Sequence, residues 1–447
     1  MHTIAFYTLG CKVNQYETDS IKEQFAALGF VVVDFADIAD VYLINTCTVT
    51  NISDRKSRQM IRRATKMNES AVVVVTGCYS QTSPDEVAEI QGVSLIVGTD
   101  KRGDIVSQTL ALLNKQDHQQ TYEPSKKPKV QISDVSTFKT FEPIHINDCE
   151  DRTRVYMKIQ DGCNNYCAYC KIPLARGPVR SRPPEEVLKE AVRLVNAGFK
   201  EIVLTGIHLA SYGKDFGTGI HLVDIMKTLT DPFNPELSGL LRLRLGSIEP
   251  TSLTNEFIEC VSNTTKICQH FHVSLQSGCD KTLKNMNRKY TSEFYFDAVS
   301  RLRKQMPDVA ITTDIIVGFP GETESDFMET FEFAKKIRFA KIHVFKFSPR
   351  KETKAAQMSD QIAPQIKEDR SERLITLAKA MEVDFNKKML GKVWDVLVEE
   401  GRHDGLLEGC AGNYVKLRFE GPEELKGEVI RVRAMNVQGD GVLGEIV

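Results

Sequence analysis

The sequence predicts an α/β protein in three parts: an N-terminal open parallel α/β sheet, a partial barrel of six βα units, and a small C-terminal antiparallel β-barrel. Apolar strands alternate with helical periodicity from residue 1 to about 112, and again from about 154 to 347. After one long helix, the chain changes to short strands separated by glycine-containing turns. The length of 447 residues agrees with this division, at about 150 residues per domain.

The first part, residues 1–113, alternates strand and helix in the manner of a parallel sheet covered on both faces. Expected strands cover residues 3–8, 41–45, 71–76 and 94–97, and expected helices cover 14–28 and 51–67. Residues 114–148 break this pattern, because the stretch 114–129 is almost wholly polar and contains Pro124 and Pro128. We therefore expect a linker there.

The central part, residues 149–378, is expected to form a partial TIM-type barrel. Its expected strands cover residues 154–160, 201–205, 241–246, 270–276, 310–318 and 341–347. A closed barrel of this type would need two more strands. Active sites lie at the C-terminal ends of barrel strands, so residues directly after these strands are candidates for function.

The last part, residues 379–447, is entered through a long helix expected over 361–390, in which Pro364 falls in the tolerant first turn. Expected strands at 393–398, 414–419 and 428–432 alternate with glycine-containing turns. This pattern indicates a small OB-like β-barrel, a class that often handles oligonucleotides.

The composition excludes several classes of protein. Hydrophobic residues make up 41% and charged residues 26%, which excludes a disordered chain or a fibre. The net charge is −2, so binding to nucleic acid would need local basic patches. No apolar run approaches the ~18 residues of a membrane span, and the N-terminus lacks the pattern of a signal peptide. We expect a cytoplasmic protein with no membrane partner.

The strongest motif consists of Cys163, Cys167 and Cys170, with the spacing C-x₃-C-x₂-C in the loop after the first barrel strand. The chain has eleven cysteines, and an odd number in a reducing compartment favours metal ligation over disulfides. Three thiolates from one loop can hold three irons of a [4Fe–4S] cluster and leave the fourth iron open to a substrate. Structural zinc or buried thiols are the alternatives, although zinc usually takes four ligands in paired spacings.

A second set consists of Cys11, Cys47 and Cys78, each of which follows an expected strand of the first part. Parallel strand ends share one edge of a sheet, so the three thiols can converge on one point. Gly10 and Gly77 would allow the backbone to turn tightly beside them. Three ordinary buried cysteines are the alternative interpretation.

The cysteine loop and the six-unit barrel resemble the radical S-adenosylmethionine (SAM) superfamily. This resemblance implies that the open iron binds the amino and carboxylate groups of SAM. An electron from the cluster then cleaves the sulfonium and yields a 5′-deoxyadenosyl radical. The protein's part is to orient the cofactor, set the cluster potential and exclude water.

Gly10–Asn14, Asn45–Thr50 and Thr76–Cys78 resemble the three cysteine motifs of the methylthiotransferase family, and the match extends over nearly the whole chain. The resemblance implies two [4Fe–4S] clusters, SAM, a C-terminal TRAM domain, an external electron donor and a sulfur source. It also implies two stages: one SAM methylates a sulfur on the auxiliary cluster, and a second generates the radical that activates the target carbon. Transfer of the methylthio group completes the reaction.

Three branches of that family resemble the chain. They act on threonylcarbamoyladenosine (t6A) at tRNA position 37, on isopentenyladenosine at the same position, or on a ribosomal protein aspartate. Leu9–Thr18 is most similar to the first branch, which implies methylthiolation at C2 of t6A in the anticodon loop; the second more often has Gln-Met-Asn after the cysteine. Ser348–Thr353 departs from the family, because Glu352 stands where a glycine commonly precedes the threonine.

Two alternatives come from other classes of protein. One is a non-catalytic iron–sulfur electron carrier, against which the large barrel with polar strand ends argues. The other is a zinc-stabilised RNA-binding scaffold, which metal analysis separates from a protein holding about eight irons in two cubic clusters.

Polar or glycine residues follow the barrel strands where a cofactor would lie. The candidates for contact with SAM are Gly206, Ser247, Glu249 and Gln276, with turn chemistry or a satisfied polar group as the alternative.

Two basic stretches are candidates for contact with RNA, with a solvated surface as the alternative for each. The first follows the cysteine loop and contains Lys171, Arg176, Arg180 and Arg182. The second lines one face of the helix over 51–67 and contains Arg55, Arg58, Arg62 and Lys66.

Overall fold

A computed structural model describes residues 1–118, 127–147, 153–401 and 405–447. The chain divides into two compact units. The first unit comprises Met1–Asp148, Gln160–Arg182 and Ser348–Thr353, and the second comprises Cys149–Ile159, Pro183–Phe347 and Lys354–Val447. Within the described ranges, none of the helices is both long and apolar enough to cross a membrane.

The first unit is built on a six-stranded parallel sheet in the order β2-β1-β3-β4-β5-β6. Its elements are β1 (Thr3–Thr8), α1 (Lys12–Ala27), β2 (Val31–Val33), β3 (Val41–Thr46), α2 (Asn51–Met67), β4 (Val72–Gly77), α3 (Cys78–Thr82), α4 (Pro84–Ala88), β5 (Val93–Val97), α5 (Ile105–His118) and β6 (Lys129–Gln131). Strands β3, β4 and β5 are buried along their whole length, because an apolar cluster packs on each face of the sheet. The predicted open parallel sheet is confirmed.

Two edge strands of this sheet, β2 and β6, were not expected from the sequence. Each has three residues, too few to show a periodicity. Strand β6 lies within residues 114–148, the range in which a linker was expected, and it pairs in parallel with β5.

The cysteine loop also belongs to the first unit. It follows β7 (Arg154–Asp161), whose last two residues pair antiparallel with β8 (Arg180–Ser181). One short helix, α6 (Ile172–Arg176), lies between the loop and β8.

The second unit contains a partial barrel. Its elements after β7 are α7 (Pro184–Asn196), β9 (Glu201–Gly206), α8 (Leu222–Thr230), β10 (Arg242–Leu245), α9 (Asn255–Asn263), β11 (His270–His272), α10 (Asp280–Asn285), α11 (Ser292–Gln305), β12 (Ala310–Val317), α12 (Glu324–Ile337), β13 (Lys341–Lys346) and α13 (Pro364–Lys387). One sheet runs β10-β9-β7 and another β11-β12-β13, and parallel bridges such as Ile248↔Val273 connect them. The six expected βα units are confirmed. Helix α13 begins at Pro364, later than the expected start at residue 361, and ends at Lys387.

The chain ends in a closed barrel with the strand order β14-β15-β16-β18-β17. Its strands are β14 (Val393–Gly401), β15 (Leu407–Ala411), β16 (Lys416–Phe419), β17 (Val429–Gln438) and β18 (Gly441–Ile446). The expected closed barrel is confirmed, and among its described strand pairs all are antiparallel as expected except β16 with β18, which is parallel. The sequence did not reveal β15 or β18, each of which contains glycine, a residue that weakens the strand signal.

A buried ion-pair network joins the partial barrel to the C-terminal barrel within the second unit. Arg244 Nε donates to Glu201 Oε1 at 2.6 Å, and Arg242 Nη1 lies 3.5 Å from Glu201 Oε2. The arginines also donate to the carbonyls of Cys410 at 2.9 Å and Gly412 at 3.2 Å. Burial opposes ionisation of Glu201, yet the two arginines hold the pKa of this carboxyl below its ordinary value.

Glu201→Gln is expected to lower the free energy of unfolding by about 3–5 kcal/mol at pH 7, because two buried arginines lose their counter-charge. A lowered folded-state pKa means that the carboxylate stabilises the protein above about pH 4 and less as the pH falls through the folded pKa. The difference between parent and variant should therefore shrink in acid, as measured by denaturant unfolding across pH.

The matched control is Glu256→Gln, since Glu256 pairs with Lys227 on the exposed surface. It should change the unfolding free energy by at most about 0.5 kcal/mol. An equal cost for the two variants would contradict the importance of the Glu201 network.

Candidate metal centres

Cys11, Cys47 and Cys78 lie at one edge of the first unit's sheet. Strands β1, β3 and β4 are neighbours, and Thr46 pairs with Gly77 in register. Cys47 and Cys78 follow directly after this pair and therefore leave the sheet side by side. Cys11 stands three residues beyond the end of β1, as the N-cap of α1. The structure thus brings the predicted second set to one sheet edge.

Two glycines give the backbone the close approach that this edge requires. Gly10 has φ +115°, and a Cβ there would lie 3.1 Å from Cys47 Cβ. Gly77 has φ +99°, and a Cβ there would lie only 2.4 Å from the Thr46 carbonyl oxygen. Both positions are in the left-handed region that favours glycine. A side chain at either would push the cysteine-bearing turns apart.

Asn14 on α1 connects the turns. Its Nδ2 donates to the carbonyls of Leu9 at 2.9 Å and Thr46 at 3.0 Å. Its Oδ1 accepts from the Cys11 thiol at 3.5 Å. One buried amide therefore holds the turn before Cys11 against the turn before Cys47.

The electrostatics of this set fit a metal cluster. Burial raises the pKa of Cys47 to about 12, and the Cys78 and Cys11 thiols nearby add to the rise. Burial likewise raises the pKa of Cys78. Thiols in such a place need a bound cation to become thiolates, and iron supplies that charge. Three thiols at one sheet edge are a donor set that an iron–sulfur cluster can take.

The loop of Cys163, Cys167 and Cys170 is fixed largely by its own backbone. Cys163 N–H donates to the Gly177 carbonyl and Cys170 N–H to the Cys167 carbonyl, both at 3.0 Å. Ile172 N–H donates to Cys170 Sγ at 3.4 Å. All three cysteines are half-buried.

Gly162 sets the start of this loop. It has φ +70°, and a Cβ there would lie 1.8 Å from the Pro178 carbonyl oxygen. Its N–H donates to Asp161 Oδ1 at 2.8 Å. Only glycine fits between β7 and the segment that returns to β8.

The expected basic rim after the cysteine loop is wrong. Lys171, Arg176, Arg180 and Arg182 are all at least 95% buried, so they do not face a phosphate backbone. Arg176, Arg180 and Arg102 instead meet the carboxylates of Glu17 and Asp161. A run of basic residues predicts a solvent-exposed face only when no acidic side chains are buried beside it. Here the acidic side chains that pair with the run come from distant segments of the chain, so the run itself does not reveal them.

The segment 348–353 lies against both cysteine regions of the first unit. Arg350 Nη2 donates to Oγ1 of Thr48, the residue after Cys47, at 2.8 Å. Arg350 also pairs with Asp54. Glu352 lies 3.5 Å from Lys171 Nζ, next to Cys170. Glu352 has φ +71°, a left-handed backbone conformation that glycine adopts without strain.

The candidates for SAM contact lie at strand ends of the second unit. Gly206 ends β9, Ser247 is exposed after β10, and Gln276 is buried with φ +70°. Glu249 pairs with His208 Nε2 at 3.1 Å and Arg288 Nη2 at 2.9 Å. Burial opposes its ionisation, but these partners hold the pKa of Glu249 below its ordinary value. Glu249 is therefore ionised and oriented. Neither His208 nor Arg288 could be predicted as a partner of Glu249, because both lie far from it along the chain.

Comparison with known proteins places this chain in a family. Residues 157–334 match the model of the radical SAM superfamily, and residues 3–98 match an uncharacterized family termed UPF0004. The chain is 43% identical to the threonylcarbamoyladenosine tRNA methylthiotransferase MtaB of Bacillus subtilis, over 97% of this chain and 94% of that protein. The chain belongs to the radical SAM methylthiotransferase family. Its cofactors are accordingly SAM and [4Fe–4S] clusters.

Other members of the family differ in their named substrates. MtaB of Thermotoga maritima is 37% identical over 98% of this chain and 96% of its own. A tRNA-2-methylthio-N(6)-dimethylallyladenosine synthase of Acetivibrio thermocellus is 32% identical over 98% of this chain and 90% of its own. Among solved structures, the radical SAM methyltransferase TsrM of Kitasatospora setae aligns with a TM-score of 0.54 at 16% identity, covering 77% of this chain and 73% of its own. That likeness confirms the fold of the family.

Gly162→Ala is expected to remove at least about four of about eight iron atoms per chain, because the added Cβ displaces the loop of Cys163–Cys170. Iron analysis and the visible absorption of the anaerobically reconstituted protein measure the loss. Gly103→Ala is the control, since a Cβ at Gly103 meets nothing within 4 Å. Full iron loading of Gly162→Ala would contradict the account of the loop.

Proposed function

We propose that this protein inserts a methylthio group at C2 of t6A at position 37 of tRNA. The observation that carries the proposal is the pair of three-cysteine sets in one unit, at a sheet edge and in a barrel-type loop. Two sets of three cysteines would each leave one iron of a cluster without a protein ligand. A reaction that generates a radical at one cluster and presents sulfur at the other needs both of these open irons. The higher identity to proteins named for threonylcarbamoyladenosine than to those named for dimethylallyladenosine supports the choice of base.

In this proposal Cys163, Cys167 and Cys170 hold the radical cluster, and Cys11, Cys47 and Cys78 hold the auxiliary cluster. When bound, the clusters and SAM supply the radical and sulfur chemistry. The chain's own part is to hold, orient and shield them. Gly206, Ser247, Glu249 and Gln276 are proposed to contact SAM, and the ionised Glu249 suits its amino group.

Several side chains shield the proposed auxiliary site from water and hold its cysteine-bearing turns in place. Cys47 and Cys78 are almost fully buried, so only Cys11 borders solvent. Asn14 fixes two of the cysteine turns, and Arg350 binds both Thr48, next to Cys47, and Asp54 in the first turn of α2. A half-shielded site of this kind favours transfer to a docked base over loss of sulfur to water.

The anticodon loop of tRNA is proposed to dock near the exposed face of α2. Arg55, Arg62 and Lys66 are exposed on this helix, whereas Arg58 is engaged with Tyr79 and Glu86. In the C-terminal barrel, by contrast, Lys416, Arg418 and Arg433 pair with acids. The proposal also requires an external electron donor, a sulfur source and a cytoplasmic location, where tRNA is available.

Cys163→Ala is expected to abolish SAM cleavage, because the cluster that transfers the electron loses a ligand. Cys47→Ala should retain SAM cleavage but yield no methylthio product, because only the auxiliary site is damaged. Cleavage is measured as 5′-deoxyadenosine, and product by nucleoside mass spectrometry of tRNA. Cys260→Ala, at a buried thiol of α9, is the control and should retain both reactions.

Two results would count against the proposal. Methylthio product from Cys47→Ala would remove the auxiliary role from the N-terminal set. Accumulation of unmodified isopentenyladenosine instead of t6A in tRNA from cells lacking the protein would favour the second branch of the family.

Arg62→Ala combined with Lys66→Ala should weaken tRNA binding and lower the slope of log affinity against log salt concentration by about 1–2, if each side chain contacts one phosphate. Filter binding at several salt concentrations measures the slope. Lys189→Ala on α7, at another exposed basic residue, is the control. An unchanged slope for the double variant would contradict docking on α2.

A further inference from the structure

Arg176, at the end of α6, is completely buried and contacts a cysteine sulfur directly. Its Nε donates to Cys78 Sγ at 3.4 Å. Its Nη2 donates to Asn14 Oδ1 at 2.7 Å and Glu17 Oε2 at 3.0 Å. Its Nη1 pairs with Glu17 and lies 3.3 Å from both oxygens of Asp161. One guanidinium therefore uses all three of its nitrogens.

These contacts come from the surroundings of both cysteine sets. Asn14 holds the turns before Cys11 and Cys47, and Asp161 accepts from the N–H of Gly162 at the start of the other loop. Arg176 itself lies six residues after Cys170. A shift of the Cys163–Cys170 loop thus reaches Cys78 through a single rigid, planar group.

The charges of the network are matched without the thiolates. Arg102, Arg176 and Arg180 face Glu17, Asp161 and Glu142, three cations against three carboxylates. In this neutral surrounding, the Nε–H of Arg176 is a donor aimed at Cys78. Hydrogen bonds to ligand sulfurs stabilise the reduced form of an iron–sulfur cluster.

We propose that Arg176 is a positioning residue that raises the reduction potential of the auxiliary cluster through Cys78 and ties that site to the radical-cluster loop. This inference rests on the proposed function, because it takes Cys78 as a ligand of the auxiliary cluster. It assigns a specific task to a residue that otherwise belongs to a structural ion-pair network.

The test uses the full chain with Cys163→Ala, Cys167→Ala and Cys170→Ala, so that only the auxiliary cluster remains. The midpoint potential of this cluster is measured by redox titration with EPR detection. Adding Arg176→Lys, which keeps the charge but cannot reach sulfur and carboxylates together, should lower the potential. Arg176→Gln should lower it further, by at least 59 mV, a tenfold change in the one-electron equilibrium.

Arg102→Lys is the matched control. Arg102 is equally buried and pairs with the same Glu17 and Asp161, but its ion pairs do not include a cysteine. The Arg102→Lys variant should change the one-electron equilibrium constant of the cluster by less than twofold. Loss of iron from Arg176→Lys with retention in Arg102→Lys would also support the positioning role.

Three results would overturn the inference. The first is the same midpoint potential in the parent and both Arg176 variants. The second is a shift in Arg102→Lys as large as the shift in the Arg176 variants. The third is loss of the cluster from all the variants alike, which would indicate a purely structural network. An iron-free background protein would overturn the auxiliary-site assignment itself, and the inference with it. The iron content of the background thus separates failure of the proposed function from failure of the role of Arg176.

Discussion

The parallel register of β1, β3 and β4 is the constraint on which the proposed auxiliary site depends. Thr46 opposite Gly77 makes Cys47 and Cys78 leave adjacent strands at the same level, and the next strand brings Cys11 to them. A slip of one residue would turn these side chains to the other face of the sheet. Buried strands resist such a slip, since the apolar clusters on both faces depend on the same register.

In the two proposed cluster sites, three thiols and not four are what would make the arrangement useful. A site with four protein ligands is closed, whereas three ligands leave a metal position for a reactant. The two sets reach this state differently. One is a single loop whose backbone hydrogen bonds and Gly162 fix it, and the other is assembled from three distant segments by the sheet. The set assembled by the sheet depends more on packing than the single loop does. This explains why several buried polar side chains contact it.

Much of this could be predicted from the sequence, because local patterns carry it. The cysteine spacing, the strand-to-cysteine order and the six βα units are visible in short windows of residues. The partners of Arg176 and Lys171 could not be predicted, because Glu17 lies 159 residues away from Arg176 along the chain and nothing local marks the pair. For the same reason the basic stretch after Cys170 was misread as a surface. Very short strands such as β2 and β6 depend on their neighbours in the sheet rather than on their own residues.

The most direct measurement of the central claim is an anomalous difference map at the iron absorption edge, from crystals of the anaerobically reconstituted protein. The account predicts two separate iron peaks, one within bonding distance of the sulfurs of Cys11, Cys47 and Cys78, and the other bonded to Cys163, Cys167 and Cys170. A single peak, or a signal at the zinc edge in place of iron at either set, would contradict it.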